Sequence, residues 1–187
     1  LRSCGRAVAP HEVCIVDSSS GDTVPEGEVG EIWVRGPQIM RGYWKNEAAT
    51  AQSITQDGWF KSGDAGFMLD GYVYIHDRVK DMIISGGENI YPAEVENALM
   101  KHPGVKDAAV IGVPDERWGE TVKAIVTRTD DTISEADLFA FCRKNLAGYK
   151  CPTSFDWMEE IPRNPSGKIL KTELRKPYWA GRSRNVS

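Results

Sequence analysis

The sequence predicts an α+β protein in two parts, a β-rich first part forming a small sheet or β-barrel-like unit and then a compact mixed α and β unit. Three observations carry this expectation. Up to Asp77, short apolar runs alternate with clusters of Gly, Pro, Asp and Ser, the pattern of short strands and turns. Helical periodicity with its own start and stop residues begins only after Arg78. The change of character falls at residues 77–81, which divides the chain into 1–77, a link at 78–81, and 82–187.

In the first part, strands are predicted at Val13 to Val16, Ile32 to Val34, Gly66 to Leu69 and Tyr72 to Ile75. Asp70-Gly71 joins the last two. A two-residue type I′ turn needs positive φ at both positions, which Asp tolerates and Gly prefers, so a hairpin is expected there. In the second part an apolar run at Met82 to Ser85 is broken by Gly86-Gly87. Pro92 suits the first turn of a helix, Glu94 and Glu96 suit its positive end, and Val95, Leu99 and His102 line one face until Pro103-Gly104. That helix is expected to be about three turns long. Lys106 to Val113 and Thr121 to Thr127 read as strands. Ser134 and Asp137 predict the start of a second helix with Leu138, Phe141, Cys142 and Leu146 as its buried stripe and Gly148 as its end.

The 187 residues are 41% hydrophobic and 27% charged, the balance of a globular chain with a core. A formal charge of -4 gives no overall attraction to phosphate backbones, so nucleic acid is not an expected partner. The tail departs from that average. Arg163, Lys168, Lys171, Arg175, Lys176, Arg182 and Arg184 face only Glu173, which fits either a polyphosphate contact or a solvated end. Cys4, Cys14, Cys142 and Cys151 form no close-spaced framework, and His11, His76 and His102 stand singly; a reducing, cytoplasmic setting and no bound metal are the expectations. No apolar run approaches the roughly 20 residues that span a bilayer. The first residues, Leu1-Arg2-Ser3, lead to the expectation of a fragment.

GWFKSGD (Gly58 to Asp64), DRVKDMIISGGENIYPAEVE (Asp77 to Glu96) and PRNPSGKILK (Pro162 to Lys171) together resemble the motifs of the adenylate-forming superfamily, which includes acyl-CoA synthetases, luciferases and peptide-synthetase adenylation domains. The upstream segments GEVGEIWVRGP and RGYW belong to the same resemblance. Three long motifs in family order are far more specific than one glycine-rich hexamer. SGGENIYPAEVE and SGKILK are similar to the acyl-CoA ligase branch, fatty-acid ligases by default, rather than to peptide-synthetase domains. The resemblance implies that residues 1–77 end the large ATP-binding domain, that 78–81 are a hinge, and that 82–187 are a mobile lid. It also implies a reaction in two halves. A carboxylate attacks the α-phosphorus of ATP, with Mg2+, to give an acyl-adenylate and pyrophosphate, and the coenzyme A thiol then displaces AMP. In the family, the phosphate-gripping loop and the magnesium ligand lie upstream of Leu1. The missing amino-terminal domain is therefore the expected partner within the polypeptide, and this chain alone is not expected to complete the reaction.

The same resemblance assigns residues. Lys168 matches the catalytic lysine, whose compact ammonium would bridge the carboxylate and the α-phosphate; the plain alternative is a solvated loop lysine. Asp64 matches the aspartate that accepts both ribose hydroxyls, against a turn or cap role after Gly63. Arg78 matches an arginine near the ribose and α-phosphate, against an ion pair with Asp77 or Asp81. Lys80 occupies the hinge position. Gly86 and Gly87 match the segment lining the pantetheine tunnel, where a bare backbone admits a narrow ligand, against an ordinary turn. Trp118 and Tyr149-Lys150 are candidates for the coenzyme A nucleotide, with simple packing as the alternative for Trp118. Some relatives carry KRPK where this chain has Lys150-Cys151-Pro152-Thr153, losing two cations. A carrier protein as acceptor, and a non-catalytic module, are the competing functional readings.

Overall fold

The structure, a computed structural model, describes residues 3–18 and 20–181. It divides into two units, Leu1–Val79 and Lys80–Ser187. In the first, β1 (Glu12–Val16), β2 (Gly30–Arg35), β3 (Phe60–Leu69) and β4 (Tyr72–Arg78) pair antiparallel in sequence order. Successive strand residues point to opposite faces, so Ile15, Ile32 and Val73 converge on one side, with Val13, Val34 and Met68 partly buried around them. The expected hairpin is present. Leu69 faces Tyr72 across it, and Asp70 and Gly71 hold φ of 51° and 75°.

The barrel-like expectation is corrected. Among the described residues β1 and β4 are the two ends of an open sheet, bordered by isolated bridges from Thr23 to Val16 and from Gly5 to Val73. Four strands in a meander lack the number and stagger needed to wrap around a filled interior. A helix was also not expected in this part. α1 (Glu47–Ser53) starts at Asn46, whose side chain accepts the Ala49 N–H at 3.0 Å, a cap that satisfies one of the orphan donors of the first turn.

The second unit is built on β5 (Ile83–Ser85), β6 (Glu88–Ile90), β7 (Val105–Asp115), β8 (Gly119–Arg128) and β9 (Ser154–Trp157), in the order β6-β5-β8-β7 with β9 parallel to β8. Residues 108–113 of β7 are buried without a break because both faces of the sheet are covered. On one face Ala108, Val110, Val122 and Ala124 meet Val95 and Leu99 of α2 (Pro92–Leu99) and Leu138 and Cys142 of α3 (Glu135–Asn145). On the other, Ala109, Ile111, Val113 and Ile125 meet Ile161 and Leu174, the latter on α4 (Lys171–Arg175). The segment carrying Lys168 is thus part of the second layer.

The α3 start matches expectation. The Ser134 hydroxyl and Asp137 carboxylate cap it reciprocally, and Leu138 and Cys142 are its buried residues, while Phe139 packs edge-on against Phe155 at 4.8 Å. The helix stops at Asn145, ahead of Gly148, because Leu146 is already extended. α2 is shorter than the three turns expected. Lys101 and His102 close i→i+3 bonds to Ala98 and Leu99, and a proline next in the chain disfavours helical backbone at the residue before it. His102 therefore leaves the stripe and stands edge-on to Phe141 at 4.9 Å. β9 and α4 were not expected; each is too short for a periodic signal.

Candidate functional site

Asp64 and Arg78 face each other across β3 and β4, and Arg78 Nε lies 2.9 Å from Asp64 Oδ1. Asp64 is a strand residue rather than a cap, Asp77 accepts the backbone N–H of Arg78 at 2.7 Å, and Asp81 pairs with Arg175 at 2.7 Å. Half of the Arg78 side chain and 29% of that of Asp64 remain exposed, so the pair presents both signs of charge on an open surface. The irregular stretch of β3 just before Asp64 is pinned from β2. Gly63, at φ +71°, donates its N–H to Glu31 Oε1 at 3.0 Å, and Asp64 donates its own to the Ser62 hydroxyl. Glu31 was not singled out from the sequence, although it lies within GEVGEIWVRGP.

Lys80 is exposed on a 3-10 turn, Val79–Asp81. Gly86 and Gly87 form the turn between β5 and β6, with φ of 60° and 88°. Gly86 and Trp118 are brought together: the Gly86 N–H donates to the Trp118 carbonyl at 2.9 Å, and a Cβ on Gly86 would stand 2.7 Å from the indole ring. Nothing lies within 4 Å of the corresponding position on Gly87. Trp118 covers Gly86 yet stays 47% exposed, and the Arg117 guanidinium sits 4.5 Å from its ring centroid. Tyr149 and Lys150 lie on a separate 3-10 turn, Gly148–Lys150. Tyr149 is half exposed, but the Lys150 ammonium is bound to both carboxylate oxygens of Glu94 at 2.7 and 2.9 Å. Burial alone would lower its pKa; the hydrogen bonds to Glu94 and its charge outweigh that and raise it. Cys151 is buried, and the Thr153 hydroxyl bonds the Val122 carbonyl at 3.1 Å. The two positions where cations are lost are therefore structural here.

The basic tail is mostly neutralised within the unit. Arg163 pairs with Asp107, Lys171 with Glu96, Arg175 with Asp81 and Lys176 with Glu173, at 2.7 to 2.8 Å. Lys168 differs. It is exposed, and its ammonium has no hydrogen-bond or ion-pair partner among the described residues. Its backbone, by contrast, is held: its N–H donates to Asn164 Oδ1 at 2.9 Å and its carbonyl accepts from the Asn164 N–H at 2.9 Å. Arg182 and Arg184 lie outside the described residues. Among the described residues no group of three or more His, Cys, Asp and Glu could hold a metal ion, and no helix is long and apolar enough to cross a membrane.

A strand-borne carboxylate with an arginine, and an unpaired ammonium on an ordered turn, are the equipment for holding a polar ligand and stabilising developing negative charge. Comparison with known proteins identifies the class. Residues 94–168 match the AMP-binding enzyme C-terminal domain, and residues 1–44 match the AMP-binding enzyme family. The chain belongs to the adenylate-forming superfamily and represents its carboxy-terminal portion. It is 55% identical to a feruloyl-CoA synthase from Amycolatopsis sp over 161 residues, covering 85% of this chain and 33% of that protein. It is 46% identical to the fatty acid–[acyl-carrier-protein] ligase ScoC of Streptomyces coeruleorubidus over 174 residues, covering 92% and 33%. Among solved structures, the ATP-bound MatB of Rhodopseudomonas palustris superposes with a TM-score of 0.87 at 37% identity, over 97% of this chain and 36% of that one. The chain thus spans about a third of the length of the curated relatives it matches.

Proposed function

We propose that this chain is the carboxy-terminal part of an ATP-dependent, AMP-forming acid–thiol ligase, which activates a carboxylic acid as its acyl-adenylate and passes the acyl group to coenzyme A. The observation that carries the reading is Lys168, unpartnered beside basic neighbours that are all paired among the described residues. A carboxylate approaching an α-phosphate brings two anions together, and a fixed cation between them lowers that barrier. Asp64 would accept the ribose hydroxyls and Arg78 would serve the ribose and α-phosphate, each exchanging part of its present ion pair for the nucleotide. Magnesium would shield the ATP phosphates, and no residue of this chain is assigned to it.

In this reading Lys80 is the pivot, residues 78–81 are the hinge between 1–77 and 82–187, and rotation there brings Gly86 and Gly87 against the pantetheine arm. Trp118, with Arg117 over its ring, is the nucleotide-side candidate. Tyr149 stays a candidate; Lys150 would act only by leaving Glu94. The cytoplasm is the proposed setting, since ATP and coenzyme A are supplied there. For the acid, a fatty acid follows from the resemblance, while the name of one relative contains feruloyl, so both classes belong in the assay.

A second reading, loading of a carrier protein, is favoured by two observations: a relative named as an acyl-carrier-protein ligase, and the commitment of Lys150 to Glu94. The test is acid-dependent pyrophosphate exchange into ATP, followed by transfer to coenzyme A or to a phosphopantetheinylated carrier protein. The assay uses the complete polypeptide that carries these residues, with hydroxycinnamic and fatty acids. Acyl-CoA formation supports the first reading, transfer only to the carrier supports the second, and no exchange with any acid removes both.

A further inference from the structure

We infer that Arg163 and Asn164 are positioning residues for Lys168, coupled to the central sheet through Asp107. This rests on the reading of Lys168 as the charge that meets the α-phosphate. A lysine side chain has four rotatable bonds, so an ammonium on a mobile loop would be spread over many positions. The structure removes the loop's share of that freedom. Asn164 binds both backbone groups of Lys168, and its Oδ1 also accepts the Ser166 N–H at 3.1 Å and hydroxyl at 2.8 Å. Gly167, at φ +82°, donates its N–H to the Asn164 carbonyl. Its own carbonyl accepts from Arg163 Nη1 at 2.8 Å, while Arg163 Nη2 reaches Asp107 Oδ2 at 2.7 Å. Asp107 stands on β7, paired in register with Thr127 of β8.

The exposures decide what this arrangement is for. The Arg163 side chain is 41% exposed and that of Asp107 26%, and a pair so open to water adds little to folding stability. Its consequence is geometric: one guanidinium fork spans from the sheet to the residue before Lys168. A lysine replacing Arg163 has a single ammonium and no planar fork. Removing either anchor should therefore leave the fold intact and loosen the place from which the ammonium reaches.

The test is made in the complete polypeptide with Arg163→Ala, Asn164→Ala, Asp107→Ala, Asp107→Asn and Lys168→Ala. Arg163→Ala and Asn164→Ala are expected to lower kcat of acid-dependent pyrophosphate exchange about tenfold, with KM for ATP within about twofold. Transfer from supplied acyl-adenylate to the thiol and the thermal midpoint should stay at wild-type values, and amide exchange at Lys168 should accelerate. Asp107→Asn keeps one of the two acceptors that take the Ala108 N–H and the Arg163 guanidinium, and should fall between wild type and Asp107→Ala. Asp107→Ala should match Arg163→Ala, with the double variant no worse than either. Wild-type exchange kcat in Arg163→Ala and Asn164→Ala beside an inactive Lys168→Ala overturns the positioning role alone. Equal losses in both half-reactions overturn it too. Wild-type pyrophosphate exchange in Lys168→Ala overturns the reading of Lys168, and the positioning role with it.

Discussion

The turn that carries Lys168 is bonded at both backbone groups of that residue, whereas the Gly86-Gly87 turn leaves Gly87 with nothing within 4 Å of where a side chain would begin. One turn offers a charge and the other offers bare backbone. The difference follows from what each is proposed to meet. A charge stabilises a transition state only where it is already placed, so order belongs in the backbone that bears it. A narrow ligand arm needs close approach, which glycine permits and any Cβ would block. If rotation about Lys80 exchanges these turns at one site, damage to each should appear in a different half-reaction.

The strongest way to break this comparison is Lys168→Ala. Adenylate formation is expected to fall by about 10²- to 10³-fold, the size found on removing one preorganised charge-stabilising group. Transfer from supplied acyl-adenylate should be unchanged, and rapid-quench assays of each half-reaction measure both. Equal loss in the two halves removes the assignment. The mirror experiment is Gly86→Ala, which combines strain at φ +60° with a Cβ 2.7 Å from the Trp118 ring. Thioester formation should drop about tenfold, and pyrophosphate exchange should hold.

Lys80→Pro sharpens the comparison by acting on neither turn. Proline fixes φ near about −65° and removes a backbone donor, so a pivot that must adopt two states is held in one. Thioester formation should slow about fivefold more than adenylation. Wild-type rates for both, with a native circular dichroism spectrum, would make residues 78–81 an ordinary connection.

The smallest effect concerns what fastens the second layer. The Tyr178 hydroxyl donates to Asp156, and Lys123 Nζ lies 2.6 Å from the same carboxylate. Burial, then the bond to Asp156, pushes the Tyr178 pKa from 10.0 up to about 12. Burial alone would raise Asp156, but its hydrogen bonds to Lys123 and Tyr178 hold it below the usual carboxylate value. A phenol raised in the folded state contributes its full stability below the unfolded pKa and loses it as pH climbs through the folded one. Denaturant midpoints should therefore decline between pH of about 10 and about 12, and Tyr178→Phe should flatten that decline at a cost of about 1 kcal/mol at neutral pH.

Much of the local structure was legible in the sequence. Asp70-Gly71 encodes its turn through backbone preference alone, and Ser134 with Asp137 encodes a helix start within four residues. The motifs around Asp64, Gly86 and Lys168 likewise marked the segments to watch. What was not legible is local in appearance but set elsewhere. The end of α2 is not legible because the residues between Leu99 and Pro103 choose tighter turns over helix, and α4 is not legible because five residues show no period. The barrel-like expectation failed because strand patterns do not say whether a sheet closes.

By itself, the sequence determined which residue types stand at which turns, the strand and helix seeds, and the family motifs. Only the tertiary structure decided which charges are spent. Arg163 meets Asp107 across 56 positions and Arg175 meets Asp81 across 94, while the Arg78 guanidinium meets Asp64 on the neighbouring strand. Lys168 stays unpartnered among the described residues. The physical reason is that ion pairing depends on separation in space and on burial, both fixed by how the sheet stacks its two layers, whereas propensities act over a few neighbouring residues.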